Sequence, residues 1–231
     1  MRRSLIIFLV VLLFGTGFFR TASAKNSSIM GGSLLTLGET ALTFGAGFPD
    51  LTFRFDFANS DKFNFATQVK FNYNFGFPFF GANLFLSAPM RFAIISDSFL
   101  SMAILVDPGF FLGGGYLKSF FLGFPLDVGL LFTLHVVPKM AINFGIEFPM
   151  TFSFEPTNKV NVFGFNLPIE LFGGIEYEIS KAIAVFARLS GGPYIFFGNI
   201  AQRHTVNQLN QYDDVFVTGS IRFLAGVIWR R

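Results

Sequence analysis

Between Met140 and Phe154 every even position is large and apolar, and every odd position is small or polar. Met140, Ile142, Phe144, Ile146, Phe148, Met150, Phe152 and Phe154 alternate with Ala141, Asn143, Gly145, Glu147, Pro149, Thr151 and Ser153. A period of two without a slip predicts a strand with one apolar face and one polar face. The run from Phe63 to Phe77 repeats the pattern. Asn64, Gln68, Lys70, Asn72 and Asn74 sit between Phe63, Phe65, Val69, Phe71, Tyr73, Phe75 and Phe77.

Strand-like runs recur along the chain, at 34–48, 50–58, 62–77, 79–88, 90–96, 99–106, 109–120, 124–137, 139–154, 160–179, 182–197 and 214–229. Turn chemistry separates them. It includes Pro49-Asp50, Asn59-Ser60-Asp61, Ala88-Pro89, Asp107-Pro108, Pro138-Lys139 and Ser180-Lys181. Short connections make sequential strands antiparallel hairpins. The expected fold is all-β, a closed antiparallel up-and-down transmembrane barrel of about twelve strands, with ten to twelve compatible with the pattern. An even count puts both ends of the barrel chain on one side. One segment admits another reading. Phe120–Val137 holds a single acid, Asp127, and has the length of a short membrane helix, although Gly123, Pro125 and Gly129 interrupt it.

Composition changes the picture at the N-terminus. Met1-Arg2-Arg3-Ser4 is basic, Leu5–Phe14 is wholly apolar, and Ala22-Ser23-Ala24 offers small residues for cleavage. An apolar run of that length is too short to span a bilayer. Residues 1–24 therefore read as a secretory signal peptide, with an uncleaved anchor as the alternative. Residues 25–33 read as a flexible lead-in and 34–231 as one barrel domain. The formal charge of +3 then disappears, because Arg2, Arg3 and Arg20 belong to the signal, which carries no acid. Nothing in the balance points to nucleic acid. Without cysteine there is neither a disulfide framework nor a thiolate metal site. An aromatic content of 19%, nearly all Phe, suits hydrocarbon better than water.

If the bulky phase faces lipid, the other phase lines a lumen. It contributes Arg54, Asp56, Lys62, Lys70, Arg91, Asp127, His135, Glu147, Glu170, Glu176, Glu178, Arg188 and Arg222. Both signs are present, and charges there need no solvation by lipid. Two readings stay open. The lumen is an aqueous path whose charges select small solutes or ions, or it is an interior filled and closed by its own polar pairs.

No G-x-S-x-G, H-E-x-x-H, Walker A or dinucleotide motif is present, so neither a catalytic set nor a cofactor is expected. Two histidines without cysteine argue against a dedicated transition-metal site. The long polar connection 198–214 carries Arg203, His204, Asp213 and Asp214. Placed outside, it is a candidate binding loop. An Asp/His pair there also has the groups for general-base hydrolysis, which keeps an outer-membrane lipid or peptide hydrolase as an alternative.

The signal-like start, the alternating strands 62–77 and 139–154 and the aromatic terminal strand 215–229 together resemble bacterial outer-membrane β-barrel proteins of Gram-negative cells. The resemblance is to the class and covers the chain after the signal. It implies insertion by the barrel-assembly machinery, with outer-membrane lipid and lipopolysaccharide as neighbours. Many members of the class end on Phe; this chain ends Ile228-Trp229-Arg230-Arg231.

Overall fold

The computed structural model describes residues 27–73, 81–115, 120–155, 162–198 and 215–231. The signal expected at 1–24, and Arg203, His204, Asp213 and Asp214, lie outside the described residues. Twelve strands are present: β1 (Thr40–Phe48), β2 (Asp50–Ser60), β3 (Phe63–Asn72), β4 (Gly81–Ser87), β5 (Met90–Ser96), β6 (Leu100–Gly115), β7 (Phe120–Val137), β8 (Met140–Glu155), β9 (Val162–Pro168), β10 (Glu170–Ser180), β11 (Ile183–Gly198) and β12 (Val215–Arg230). Phe120–Val137 is one of the longest strands, which removes the helical reading.

All pairings are antiparallel, and the ring closes where β1 meets β12, from Ala41 opposite Arg230 to Phe48 opposite Phe223. The twelve strands fill ten positions around that ring. β4 and β5 occupy one position, because both lie between β3 and β6 and keep a single register. Asn72 faces Asn83, and Phe63 faces Phe92. β9 and β10 likewise share the position between β8 and β11. Ala88-Pro89 is therefore an interruption within one stave and not a reversal. The Pro89 carbonyl still accepts from Ala66 N at 2.7 Å. Asp107-Pro108, read from sequence as a turn, lies inside β6, where the Pro108 carbonyl accepts from Ala88 N at 2.9 Å. Proline removes a donor from a ladder but leaves its acceptor. Merging two pairs of staves keeps the count even, so both ends of the barrel chain still share one side.

That side is the terminus end. Its turns are short: 61–62, 97–99, 138–139 and 181–182. Most of the longer connections, 73–80, 116–119, 156–161 and 199–214, belong to the opposite, loop end.

Strand alternation separates the two faces. Phe44 (52% exposed), Phe53 (49%) and Phe124 (56%) stand outward, while Thr43, Thr133 and Asn143 are buried inward. On β8, Phe144 is outward and Glu147 inward, as the periodicity predicts. The ladder satisfies the backbone, so the wall itself is complete.

The interior is not purely polar. Leu105, Leu131 and Phe172 form one buried cluster. Ile29, Leu35, Ala41, Ala184, Phe186 and Ile228 form another, against which Met30 and Leu224 pack. Ile29 and Leu35 precede the first strand. The segment expected as a loose lead-in is inside the barrel, and β1 begins at Thr40 rather than at 34.

Candidate functional site

Residues 27–36 enter the lumen from the terminus end and close it. Ser28 N donates to Ser33 O at 3.1 Å, which folds the segment into a tight loop. The wall holds this plug through buried polar groups of five staves. Arg91, 1% exposed, brings its Nη1 to the carbonyls of Ser28 (2.7 Å), Ile29 (3.1 Å) and Gly31 (3.1 Å). Glu176 accepts from Ser28 Oγ at 2.9 Å and Ile29 N at 3.2 Å. Ser33 N donates to Thr133 Oγ1 at 3.2 Å, and Thr133 Oγ1 donates to Asn143 Oδ1 at 2.8 Å. Arg230 Nη2 donates to Ser27 O at 2.8 Å and also pairs with Glu176.

These charges are paired among themselves, while the Nε of Arg91, the Nε of Arg230 and the Nδ2 of Asn143 are buried without a hydrogen-bond partner. Asp56 sits between Arg54 (2.6 Å) and Arg91 (3.6 Å), and Arg230 reaches Glu178 at 3.7 Å. Burying such groups is tolerable only when their partners are in place. The close fit also explains two glycines. A Cβ on Gly31 would collide with the side chains of Thr133 and Asn143. On Gly32 it would meet the carbonyls of Leu131 and Ser101 at 2.5 and 2.7 Å.

Toward the loop end, the apolar side chains form a collar on the plug, and the Arg188 guanidinium lies 3.9 Å from the Phe172 ring centroid. A chamber opens beyond it. One cavity of about 130 Å³ is floored by Ile29 and Met30. A second, of about 90 Å³, continues toward Asn83, Asn166 and Tyr194. Both cavities are lined by Lys70, Asp107, Asp127 and Arg222. The β6, β7 and β8 wall contributes Asp107, Asp127 and Glu147, all acids. Arg54, Lys70, Arg188 and Arg222 come from the remaining wall, together with the acids Asp50 and Glu170. Arg188 bridges to the acidic wall through Glu147, whereas Arg222 pairs within its own wall, with Glu170 at 3.3 Å and with Asp50 at 4.0 Å.

Of the residues expected in the lumen, Arg54, Lys70, Asp127, Glu147, Glu170, Arg188 and Arg222 line the chamber. Asp56, Arg91 and Glu176 serve the plug layer instead. His135 faces the same way as its pairing partner Ala141, near the terminus end, and is half-buried. Lys62 sits exposed in the turn after β2, outside the lumen. Sequence reasoning missed Asp50, Asp107, Arg230 and the whole plug. Asp107 was legible in principle, because Ala103, Leu105, Asp107 and Phe111 continue the inward phase of β6. The plug has no periodicity to read, and its partners lie 60 or more residues away in sequence.

No family model and no curated protein matches the chain. Among solved structures it is similar to the outer membrane protease OmpT from Escherichia coli, at 5% identity and a TM-score of 0.40, over 84% of this chain and 92% of that one. It is similar to the KdgM porin in complex with disordered oligogalacturonate, at 12% identity and a TM-score of 0.39, over 83% and 98%. It is also similar to a loop-deletion mutant of OmpT, an outer membrane protein of Vibrio cholerae, at 9% identity and a TM-score of 0.22, over 84% and 96%. The barrel assignment rests on this chain's own closed ring of pairings.

Proposed function

We propose that this chain is an outer-membrane barrel of porin-like type, a passive path for small solutes or ions. Its charged chamber lies toward the loop end, and residues 27–36 are the barrier at the terminus end. The observation that supports this most is the chamber itself, which runs to the plug with acids alone along one wall and both signs around the rest. A narrow path lined by charges of both signs suits small polar solutes and disfavours apolar ones. Short turns on one end and long connections on the other match the usual orientation of such barrels, with short turns in the periplasm. On that orientation the termini are periplasmic and 199–214 is external. The outward Phe band faces lipid, lipopolysaccharide lies at the outer leaflet, and residues 1–24 direct export and are then removed. The hydrolase alternative draws on His204, Asp213 and Asp214 and has no support in the chamber.

Liposome swelling tests the path. Vesicles carrying the mature protein, or Gly32→Val, are placed in isotonic solutions of small sugars and amino acids. Val at position 32 would strike the carbonyls of Leu131 and Ser101, so that variant should admit solutes faster than the native chain. Vesicles that stay impermeable with both proteins would sink the path reading.

A further inference from the structure

We propose that the loop-end half of the chamber is a binding site for small zwitterions, molecules of amino-acid size carrying an ammonium and a carboxylate. Lys70, Asp107 and Asp127 are its charged contacts. The inference deepens the porin-like reading by naming a solute class and rests on that reading for its biological sense.

Three charged side chains of the lumen are left over once its ion pairs are assigned. Among the described residues, the charged side chains facing the lumen form ion pairs, except these three. Arg54 and Arg91 share Asp56, Arg188 holds Glu147, Arg222 reaches Asp50 and Glu170, and Arg230 takes Glu176 and Glu178. Lys70, Asp107 and Asp127 all line the same cavity.

Their neighbours explain why they remain unpaired. Asp127 lies directly opposite Asp107 on one side and Pro149 on the other. Along its own strand the next inward positions are Pro125 and Gly129. None of these side chains can donate a hydrogen bond. Asp107 receives one donor, Ser87 Oγ at 3.2 Å. Each carboxylate buries its Oδ1 without a hydrogen-bond partner. Two acids directly opposite each other destabilise a ladder unless something positive lies between them. Lys70 is the converse case. Its inner-face neighbours are Thr52, Gln68, Asn72 and Phe85, with no acid among them. Its ammonium rests 4.8 Å from the Phe85 ring centroid.

Lys70 on β3 and Asp107 on β6 are two stave positions apart and offset by four residues along the strands, roughly 16 Å between their backbones, and both side chains line the same cavity. Phe85 lies directly opposite Lys70 and stacks on Phe111 at 5.2 Å. The cavity is thus lined by a cation, two carboxylates and an apolar ring surface. Cavities of about 150 Å³ hold a benzene-sized guest, and the two connected cavities here are about 130 and 90 Å³. A metal ion fits less well, because no third acid or histidine among the described residues joins the two carboxylates closely enough.

The test is titration calorimetry of the refolded mature protein in detergent with three matched probes. These are L-leucine, 3-methylbutylamine, which lacks the carboxylate, and 4-methylpentanoate, which lacks the ammonium. L-leucine should bind, and each single-charge analogue should bind about tenfold more weakly or worse, the loss of one charge-assisted contact. Lys70→Gln should reduce L-leucine to the affinity of the amine and leave the amine unchanged. Asp127→Asn should weaken L-leucine and the amine together. Lys62→Gln, in the exposed turn, should change nothing, and heat-modifiable migration confirms that each variant is folded. No L-leucine binding at tens of millimolar, equal binding of all three probes, or native binding by both site variants overturns the site. Binding does not require conduction. Leucine bound by a barrel that never conducts keeps the site and removes the path; conduction without binding does the reverse.

Discussion

At the terminus end, Arg91 is sealed against three backbone carbonyls and Asp56. At the loop end, Lys70 shares a cavity with Asp107 and Asp127 and forms no ion pair among the described residues. Both halves are built by the same staves with the same alternation, so the wall does not distinguish them. The ten residues before β1 do. They enter one half, meet its donors and acceptors, and convert mixed charge into a closed, ion-paired layer. The other half keeps its volume and its spare charges. Whether a lumen is a filler or a chamber is therefore decided locally, by what occupies it, and not by strand number alone.

Substitution should expose that difference. The largest effect is expected from Arg91→Met, which strands the carbonyls of Ser28, Ile29 and Gly31 and leaves Asp56 to Arg54 alone. Removing one partner of a buried charge typically costs about 3–5 kcal/mol, readable as a loss of stability to urea in vesicles. Unchanged stability would mean that the plug layer is not the tightly held half. Next comes the outer wall. Phe148→Arg puts a charge on the lipid face and should cost roughly 2–4 kcal/mol near the midplane. Glu147→Gln, one position away but facing the hydrated chamber, should cost clearly less. Equal losses would erase the distinction between faces. The smallest effect is expected at Asp127→Asn. It removes one of two opposed like charges and should be neutral or stabilising by up to about 1 kcal/mol. A large destabilisation there would show that the loop-end charges are satisfied after all.

The faces of β8 were legible because nothing interrupts their alternation, and position 147 could be assigned inward from sequence alone. β6 was read as two strands because Asp107-Pro108 carries turn chemistry. In the barrel, the strands on either side supply hydrogen bonds that override that local preference. Ile169 marks the opposite error, a break that sequence passed over inside 160–179. Its N donates to Pro193 O at 2.9 Å, so the ladder bridges the gap. The inward apolar residues, Leu105, Leu131, Phe172 and Phe186, ran against the rule that bulky side chains face lipid. Phe186 packs with Ile29 and Leu35, which the plug brings into the lumen, and Leu105, Leu131 and Phe172 pack on one another. A segment whose contacts to the wall are long-range leaves no local signature, which is why 27–33 reads as a lead-in and 34–36 as the start of a strand.

The most direct test of the closed terminus end is single-channel recording in planar bilayers, comparing the mature chain with the same chain lacking residues 27–36. The full chain should show no steady open level, and the deletion should show a stable conducting one. Equal conductance in the two proteins, or none in either, would contradict the assignment of these residues as the barrier.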